Sequence, residues 1–380
     1  MTRQFKALIA MLFSLQSACL ASSIRYSVQH LQAVYGADLT ISRLGKDGTM
    51  SGGSRNGNSA ENHLVVIRSG VRNDLPPTTG IALSSSFNAQ GNANVVRSPG
   101  GTLAGIGLLN ESGLVTALPY TPQGTSLTLR DSNRIGTVVG SETPLPLSGG
   151  RYRTGGFIYD PVNGGRTVRQ LGGVDVTSFH SVNDAGYLVG YGLTQDTRQG
   201  YLFLWREGEA AIPLVKNIGG IADAINEAGQ VVGIANDTAF FWDRGTLTSP
   251  VHKLVEDPAH PGTFNDAVSF SEGTDVSESG MMVGIAEFRS VPGSTIPAFA
   301  NRGYLWTAEG GLIWLDDVID PALGYTITGA MSIADNGQIL ATGFLAGSSV
   351  QQNFLLSLIP EPSVGAFLLV GMALLSRRRR

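Results

Sequence analysis

The chain has 380 residues, with 26 basic and 30 acidic side chains, 50 glycines and one cysteine. A formal net charge of −4 argues against a nucleic-acid partner, because that affinity rests on phosphate neutralisation by Lys and Arg. A single cysteine permits no intrachain disulfide, so the fold must be held by its core, and about 340 residues between the two ends are ample for one.

The first stretch, MTRQFKALIAMLFSLQSACLASS, has Arg3 and Lys6, then an apolar run over 7–15, then small residues to about Ala21. This is the n-region, h-region and cleavage-site order of a secretory signal peptide, expected over residues 1–21. Cys19 raises a lipoprotein alternative, against which Gln16 stands where a lipobox wants Leu. Removal of both chain ends would take Cys19, Arg3, Lys6 and Arg377 to Arg380 away and leave a body with a net charge of about −10, which favours solubility.

The body, 22–359, holds short apolar segments broken by Gly, Asn, Asp and Pro, an all-β signature. One pattern recurs: SVNDAGYLVGYG (181–192), AINEAGQVVGIA (224–235), DVSESGMMVGIA (275–286) and SIADNGQILATG (332–343). Weaker copies are TLRDSNRIGTVV (128–139), SRLGKDGTMSGG (42–53) and SSFNAQGNANVV (85–96). Each reads as a hairpin whose turn ends in a left-handed residue, which Gly adopts without steric cost. On this alignment the turn residues are Gly48, Gly91, Asn133, Gly186, Gly229, Gly280 and Gly337, with Asn133 replacing glycine. The steps between them are 43, 42, 53, 43, 51 and 57 residues.

Between these hairpins lie strand–turn–strand segments such as GYLFLWREGEAAIPL (200–214), TAFFWDRGTLTSPV (238–251) and GYLWTAEGGLIWL (303–315). Four strands per unit at this period predict a seven-bladed β-propeller of four-stranded repeats. The last unit, ending in NFLLSLI (353–359), lacks a fourth strand. IRYSVQHLQAV (24–34) is expected to supply it and close the ring, which removes exposed sheet edges.

The hairpins at Asn183–Gly190 and Asn226–Gly233, followed by Tyr201–Trp205 and Phe240–Trp242, resemble the HAF-type extracellular repeat of bacterial exported proteins. The resemblance covers 180–345 well and 40–160 poorly. It implies a propeller-like extracellular domain and carries over no catalytic residue.

The chain closes with IPEPSVGAFLLVGMALLSRRRR. The run over 364–375 is expected to form a short hydrophobic helix of about 18–20 Å, short of the ~30 Å bilayer core. Arginines favour the cytoplasmic side. Pro360-Glu361-Pro362, the run and the stop-transfer cluster Arg377, Arg378, Arg379 and Arg380 together resemble the PEP-CTERM sorting tail of Gram-negative bacteria, over residues 360–380. The resemblance implies processing by an exosortase-type sorting protease, a membrane-inserted precursor with transient insertion through the tail, and association with exopolysaccharide at the cell surface or in the matrix.

The recurring acids Asp47, Asp131, Asp184, Glu227, Glu278 and Asp335 suggest calcium. Each turn, however, has one carboxylate and no Asp-x-Asp-x-Asp run, and acids at turns commonly bond their own backbone. Trp205, Trp242 and Trp306 hold equivalent places and read as packing between blades. Trp314 stands outside that position and is the candidate for stacking on a sugar ring. His30, His63, His180, His252 and His260 show no zinc spacing. The stretch 249–266, with His252, His260, Glu256, Asp257 and Asp266, reads as a solvated loop, with a metal or acid–base site as the alternative.

No catalytic residue, metal site or cofactor is assigned. The expectation is an exported, non-catalytic protein that binds an extracellular polysaccharide or a protein partner. A polysaccharide-acting propeller glycosidase or lyase, and a purely structural matrix protein, are the alternatives. Carboxylates converging in the central channel would favour the enzyme.

Overall fold

The computed structural model describes residues 24–55, 62–74, 81–87, 93–97, 105–109, 115–117, 124–144, 154–216, 219–251, 254–256, 264–290 and 300–359. The leader, Pro360-Glu361-Pro362, the run 364–375 and the four terminal arginines lie outside these residues, as do Gly91, His252, Asp257 and His260. Among the described residues no helix is long and apolar enough to cross a membrane.

The strands form seven antiparallel sheets. Sheet I is Leu39–Leu44, Met50–Arg55, Asn62–Arg68 and Val71–Asp74. Sheet II is Ile81–Phe87, Ala93–Arg97, Gly105–Leu109 and Val115–Ala117, described as strands and pairing alone. Sheet III is Gly124–Ser132, Val138–Pro144, Gly155–Asp160 and Gly164–Val168. Sheet IV is Val174–Val182, Leu188–Thr194, Gly200–Trp205 and Ile212–Lys216, with Gln170–Leu171 added before the first. Sheet V is Gly220–Ile225, Val231–Ala235, Thr238–Asp243 and Thr246–Thr248. Sheet VI is Phe264–Val276, Met282–Ser290, Ala300–Thr307 and Gly311–Trp314, preceded by Leu254–Glu256. Sheet VII is Tyr325–Ile333, Ile339–Leu345 and Gln352–Leu358, completed by Tyr26–His30. Sheets IV and VI thus have five strands where four were expected. The extra strands are two or three residues long and pair outside the repeated hairpin.

The longest strand of each sheet's leading hairpin touches its counterpart in the next sheet, from I through VII and back to I. The result is an all-β propeller with these strands around a central channel. Its core lies between the sheets. Val139 and Ile158 of sheet III pack with Phe179 and Phe203 of sheet IV, and Val283 and Leu305 of sheet VI pack with Ile327 and Phe354 of sheet VII. A strand covered on both faces has no wet side, so its sequence is a continuous apolar run rather than an alternation. GYLFLW is buried at all six positions.

The N-terminal strand closes the ring by pairing with the last strand, from Tyr26↔Leu358 to His30↔Phe354. It is shorter than the expected 24–34. Leu31–Tyr35 turns into a five-residue helix instead, because Leu31 leaves the edge to become fully buried against Leu39 and Leu355. Asn353 ties the closure together. Its Oδ1 accepts from Gln32 Nε2 and from the Ile41 N–H, its Nδ2 donates to the Ile41 carbonyl, and its own N–H donates to Gln32 Oε1, each at 3.0 Å.

One repeat copy has a register different from that expected. The left-handed turn residue of sheet III is Gly136 (φ 88°), not Asn133. The Gly136 N–H donates to the Asn133 carbonyl, as the Gly186 N–H does to Asn183 and the Gly229 N–H to Asn226. Asn133 therefore aligns with Asn183 and Asn226, and NRIGTVVG is a full copy of NDAGYLVG.

The final glycine of each copy answers a close approach. It lies opposite the residue just before a β-bulge in the leading strand, as in Gly233↔Ala222 and Gly140↔Leu129. A Cβ at Gly233 would stand 2.1 Å from the Ile221 carbonyl oxygen, and one at Gly140 2.0 Å from that of Thr128.

Candidate functional site

The recurring polar residues hold neighbouring sheets together. Asn133, Asn183 and Asn226 are buried. Each accepts from an N–H of its own turn (Thr137 at 2.8 Å, Tyr187 and Gln230 at 2.9 Å). Each donates through Nδ2 to the carbonyl of the equivalent residue one sheet on: Asn183 at 2.9 Å, Asn226 at 3.0 Å and Ser277 at 2.9 Å. The next position behaves alike. Arg134 N–H donates to Asp184 at 2.8 Å, Asp184 N–H to Glu227 at 2.9 Å, Glu227 N–H to Glu278 at 3.0 Å and Glu278 N–H to Asp335 at 3.1 Å. These four acids do not fold back on their own turns, as expected from sequence, but reach across to the preceding sheet. Asp47 keeps the local bond, accepting from the Thr49 N–H at 2.9 Å. Among the described residues, no group of three or more His, Cys, Asp or Glu is placed to hold a metal.

Above this mortar, on the same face, opens a cavity of about 300 Å³ at the mouth of the channel. Arg43, Lys46, Asp131, Arg134, Asp184, Asp223, Glu227, Asp275, Glu278 and Asp335 are among its lining residues. Lys46 Nζ donates to Asp275 Oδ1 at 2.8 Å and to the Val276 carbonyl at 2.5 Å. Asp275 Oδ2 accepts the Ile333 N–H at 2.9 Å. Asp131 Oδ2 accepts from Ser181 Oγ at 2.6 Å and from the Val182 N–H at 3.1 Å. Arg134 forms an ion pair with Asp184.

The bulge re-aims one side chain per leading strand, as bulges do. It falls between Ile41 and Arg43, Leu129 and Asp131, Phe179 and Ser181, Ala222 and Ala224, Gly273 and Asp275, and Ala330 and Ser332. The residues inserted are Ser42, Arg130, His180, Asp223, Thr274 and Met331. Their flanks belong to the core, but none of the six is itself fully buried.

Charges from sheets that are not neighbours act on one another here, which places them around a common space. Burial pushes the Asp223 carboxyl well above the usual range and the negative Glu272 adds to this, while Arg43 and Arg130 oppose it. Burial also raises Glu272. Burial raises Asp131 as well, against the pull of Arg43. Burial, and then Arg130, holds His180 down at about 4, and its Nε2 lies 2.7 Å from Ser178 Oγ. Asp223 Oδ2 is shut from solvent and has no hydrogen-bond partner.

Trp205, Trp242 and Trp306 are buried in the layers between sheets. Trp205 stacks on Phe179 at 5.8 Å, and Trp306 lies 4.8 Å from Phe241. Trp314 is half-buried. The Arg302 guanidinium lies 4.8 Å from its ring centre, and Phe288 and Tyr304 meet it edge-on. It borders an apolar groove of about 570 Å³ with Leu247, Pro250 and Leu312. His30 packs on Phe354 beside Gln352.

Sequence analysis missed Arg43, Arg130, Asp223 and Glu272, and read His180 only as lacking a zinc spacing. The available signal was variation: once Asn133 is aligned with Asn183, the position three residues before it is the one that changes most between copies.

No protein-family model matches the chain, and no curated protein does, so neither the PEP-CTERM nor the HAF resemblance gains support. Solved structures match it. The β-propeller domain of the Trilobed protease from Pyrococcus furiosus is 12% identical, with 75% of this chain and 86% of that one covered and a TM-score of 0.50. The acylaminoacyl peptidase of Pyrococcus horikoshii is 10% identical over 87% of this chain and 53% of that one, at a TM-score of 0.52. This chain thus spans about half the length of that peptidase. An oligogalacturonate lyase from Vibrio parahaemolyticus is 11% identical over 90% and 98%, at 0.49. At such identities the likeness is one of fold: a β-propeller. The Pyrococcus furiosus domain is described as an open velcro, whereas here Tyr26–His30 closes the ring.

Proposed function

We propose that this chain is an exported propeller, its seven sheets serving as seven blades, that binds an extracellular polysaccharide or protein partner at the channel mouth without turning it over. The observation that carries the reading is a division of roles within the repeat. The recurring residues bond blade to blade, while the bulge positions differ from blade to blade and bring unlike charges to one space. A scaffold alone needs no such asymmetry. Fold does not fix function, so the test is direct: glycan-array and matrix-protein binding by the full chain, repeated with Arg43→Ala and Asp223→Asn. Binding lost in both variants, without product release, supports the reading. Binding indifferent to both variants removes the mouth as the site.

Export and sorting belong to the same proposal. The grammar of residues 1–21 and the tail over 360–380 support a secreted precursor, held by Arg377 to Arg380 and processed near Pro360-Glu361-Pro362 by an exosortase-type protease. Trp314 remains a proposed stacking residue at the rim of the apolar groove.

A second reading, a polysaccharide-acting enzyme, is favoured by Asp223 and Glu272. Two carboxyls raised by burial, one increasing the other, are what general acid chemistry requires. Release of new reducing ends or unsaturated products from exopolysaccharide, abolished by Asp223→Asn, would establish it.

A further inference from the structure

We propose that the channel mouth recognises a primary ammonium group, with Asp223 as the carboxylate that receives it. This rests on the mouth being the binding site. Eight acidic and three basic side chains line the cavity. Two of the bases are already paired with lining acids, Lys46 with Asp275 and Arg134 with Asp184. The third, Arg43, acts on both Asp131 and Asp223. The excess is therefore strongly negative, and a low-dielectric cleft lined by one sign of charge focuses its field on the opposite one. The acids Glu227 and Glu278 each accept a backbone N–H from the neighbouring sheet and so are held in place around the rim.

Asp223 differs from them. It borders the same cavity, it is the bulged residue of its strand, and its Oδ2 has no partner. A buried acceptor left unmet is costly, and a charge-assisted donor is its strongest complement. An ammonium group offers three donors on a compact charge. A uronate or phosphate would meet the excess negative charge unfavourably. The cavity, at about 300 Å³, has room for a lysine side chain or one hexosamine ring. A protein partner and a glycan carrying free amines present the same group.

Calorimetric titration of the full chain at pH 6 separates these cases. The probes are Gly-Lys-Gly amide, a glucosamine hexamer, its N-acetylated counterpart and an oligogalacturonate. Binding of either amine probe, at least tenfold tighter than the acetylated hexamer, is expected. The peptide alone would indicate a protein source, and the hexamer alone a glycan. Asp223→Asn should weaken amine binding at least tenfold, and Glu227→Gln, on the exposed rim, severalfold. Glu309→Gln, an exposed charge on a remote turn, should not change it. Equal affinity for the acetylated hexamer, tighter binding of oligogalacturonate, or an Asp223→Asn variant that binds like the parent would overturn the ammonium site while leaving a binding propeller. Failure of all four probes, together with cleavage of exopolysaccharide, would overturn both.

Discussion

Replacing Asn183 with alanine tests whether the recurring asparagine joins blades or merely shapes a turn. The side chain is 2% exposed. It accepts the Tyr187 N–H at 2.9 Å and donates to the Asn226 carbonyl, one sheet away, at 3.0 Å. Each neutral bond contributes about 1 kcal/mol net, and each buried partner left unmet costs about 1–3 kcal/mol. Some of that cost overlaps, so the variant should lose about 2–4 kcal/mol. Asn336→Ala is the control, because that side chain sits in an exposed turn and bonds within it; its cost should be about 1 kcal/mol or less. Asn183→Asp is the sharper variant. It keeps the acceptor for Tyr187 but removes the donor and sets a buried charge against the Asn226 carbonyl, so it should cost at least as much as alanine. Urea unfolding followed by tryptophan fluorescence, with an unchanged denaturant slope, measures all three. An Asn183→Ala loss no larger than that of Asn336→Ala would refute the inter-sheet role.

Three further outcomes are expected. Asn353→Ala removes the side-chain bonds that join the last strand to Ile41 and Gln32, and should cost about 3 kcal/mol; deletion of 24–34 should lower the melting temperature further, and parental melting in either would show that closure is dispensable. His180, held at about 4 against an ordinary value near 6.5, is taken up neutral by the fold, so its contribution is complete above about pH 7 and declines as pH falls from 6.5 towards 4, by up to about 3 kcal/mol; His180→Gln should flatten that part of the stability–pH curve, and an unchanged curve would contradict the burial argument. Intact mass of the protein from its native host should lack Arg377 to Arg380, since a run of twelve residues falls about eight short of a normal span; a mature chain that keeps them would make the tail a permanent anchor.

The parts of the fold that could be read from sequence are those with local causes. A left-handed turn needs glycine, a strand buried on both faces needs an unbroken apolar run, and an unfinished last unit needs a strand from elsewhere. These led to the repeats, the β class and the closure by Tyr26–His30. The misplacement of Asn133 shows where local reasoning fails. Asparagine tolerates a left-handed turn, so a turn-based alignment put Asn133 in the glycine's place. Its identity is set by something not local, the carbonyl of Asn183 in the next sheet. The short fifth strands of sheets IV and VI escaped for a similar reason, because two or three residues of edge pairing leave no periodicity.

The channel site was hidden by the same search that found the fold. Repeat detection rewards sameness, and the residues that are the same are those with the same structural task in every blade: turn glycine, latch asparagine, and the glycine that lets the bulge approach. A ring imposes that task on each copy and leaves the bulged side chain free, since it points to the channel rather than to a neighbour. Arg130, His180 and Asp223 therefore carry no repeat signal, and a β-bulge has no composition of its own. In correct register they become visible as the column where seven copies of one hairpin disagree. For a closed repeat fold, that disagreement is the stronger pointer to function, because sameness between blades is already explained by the bonds that hold them together.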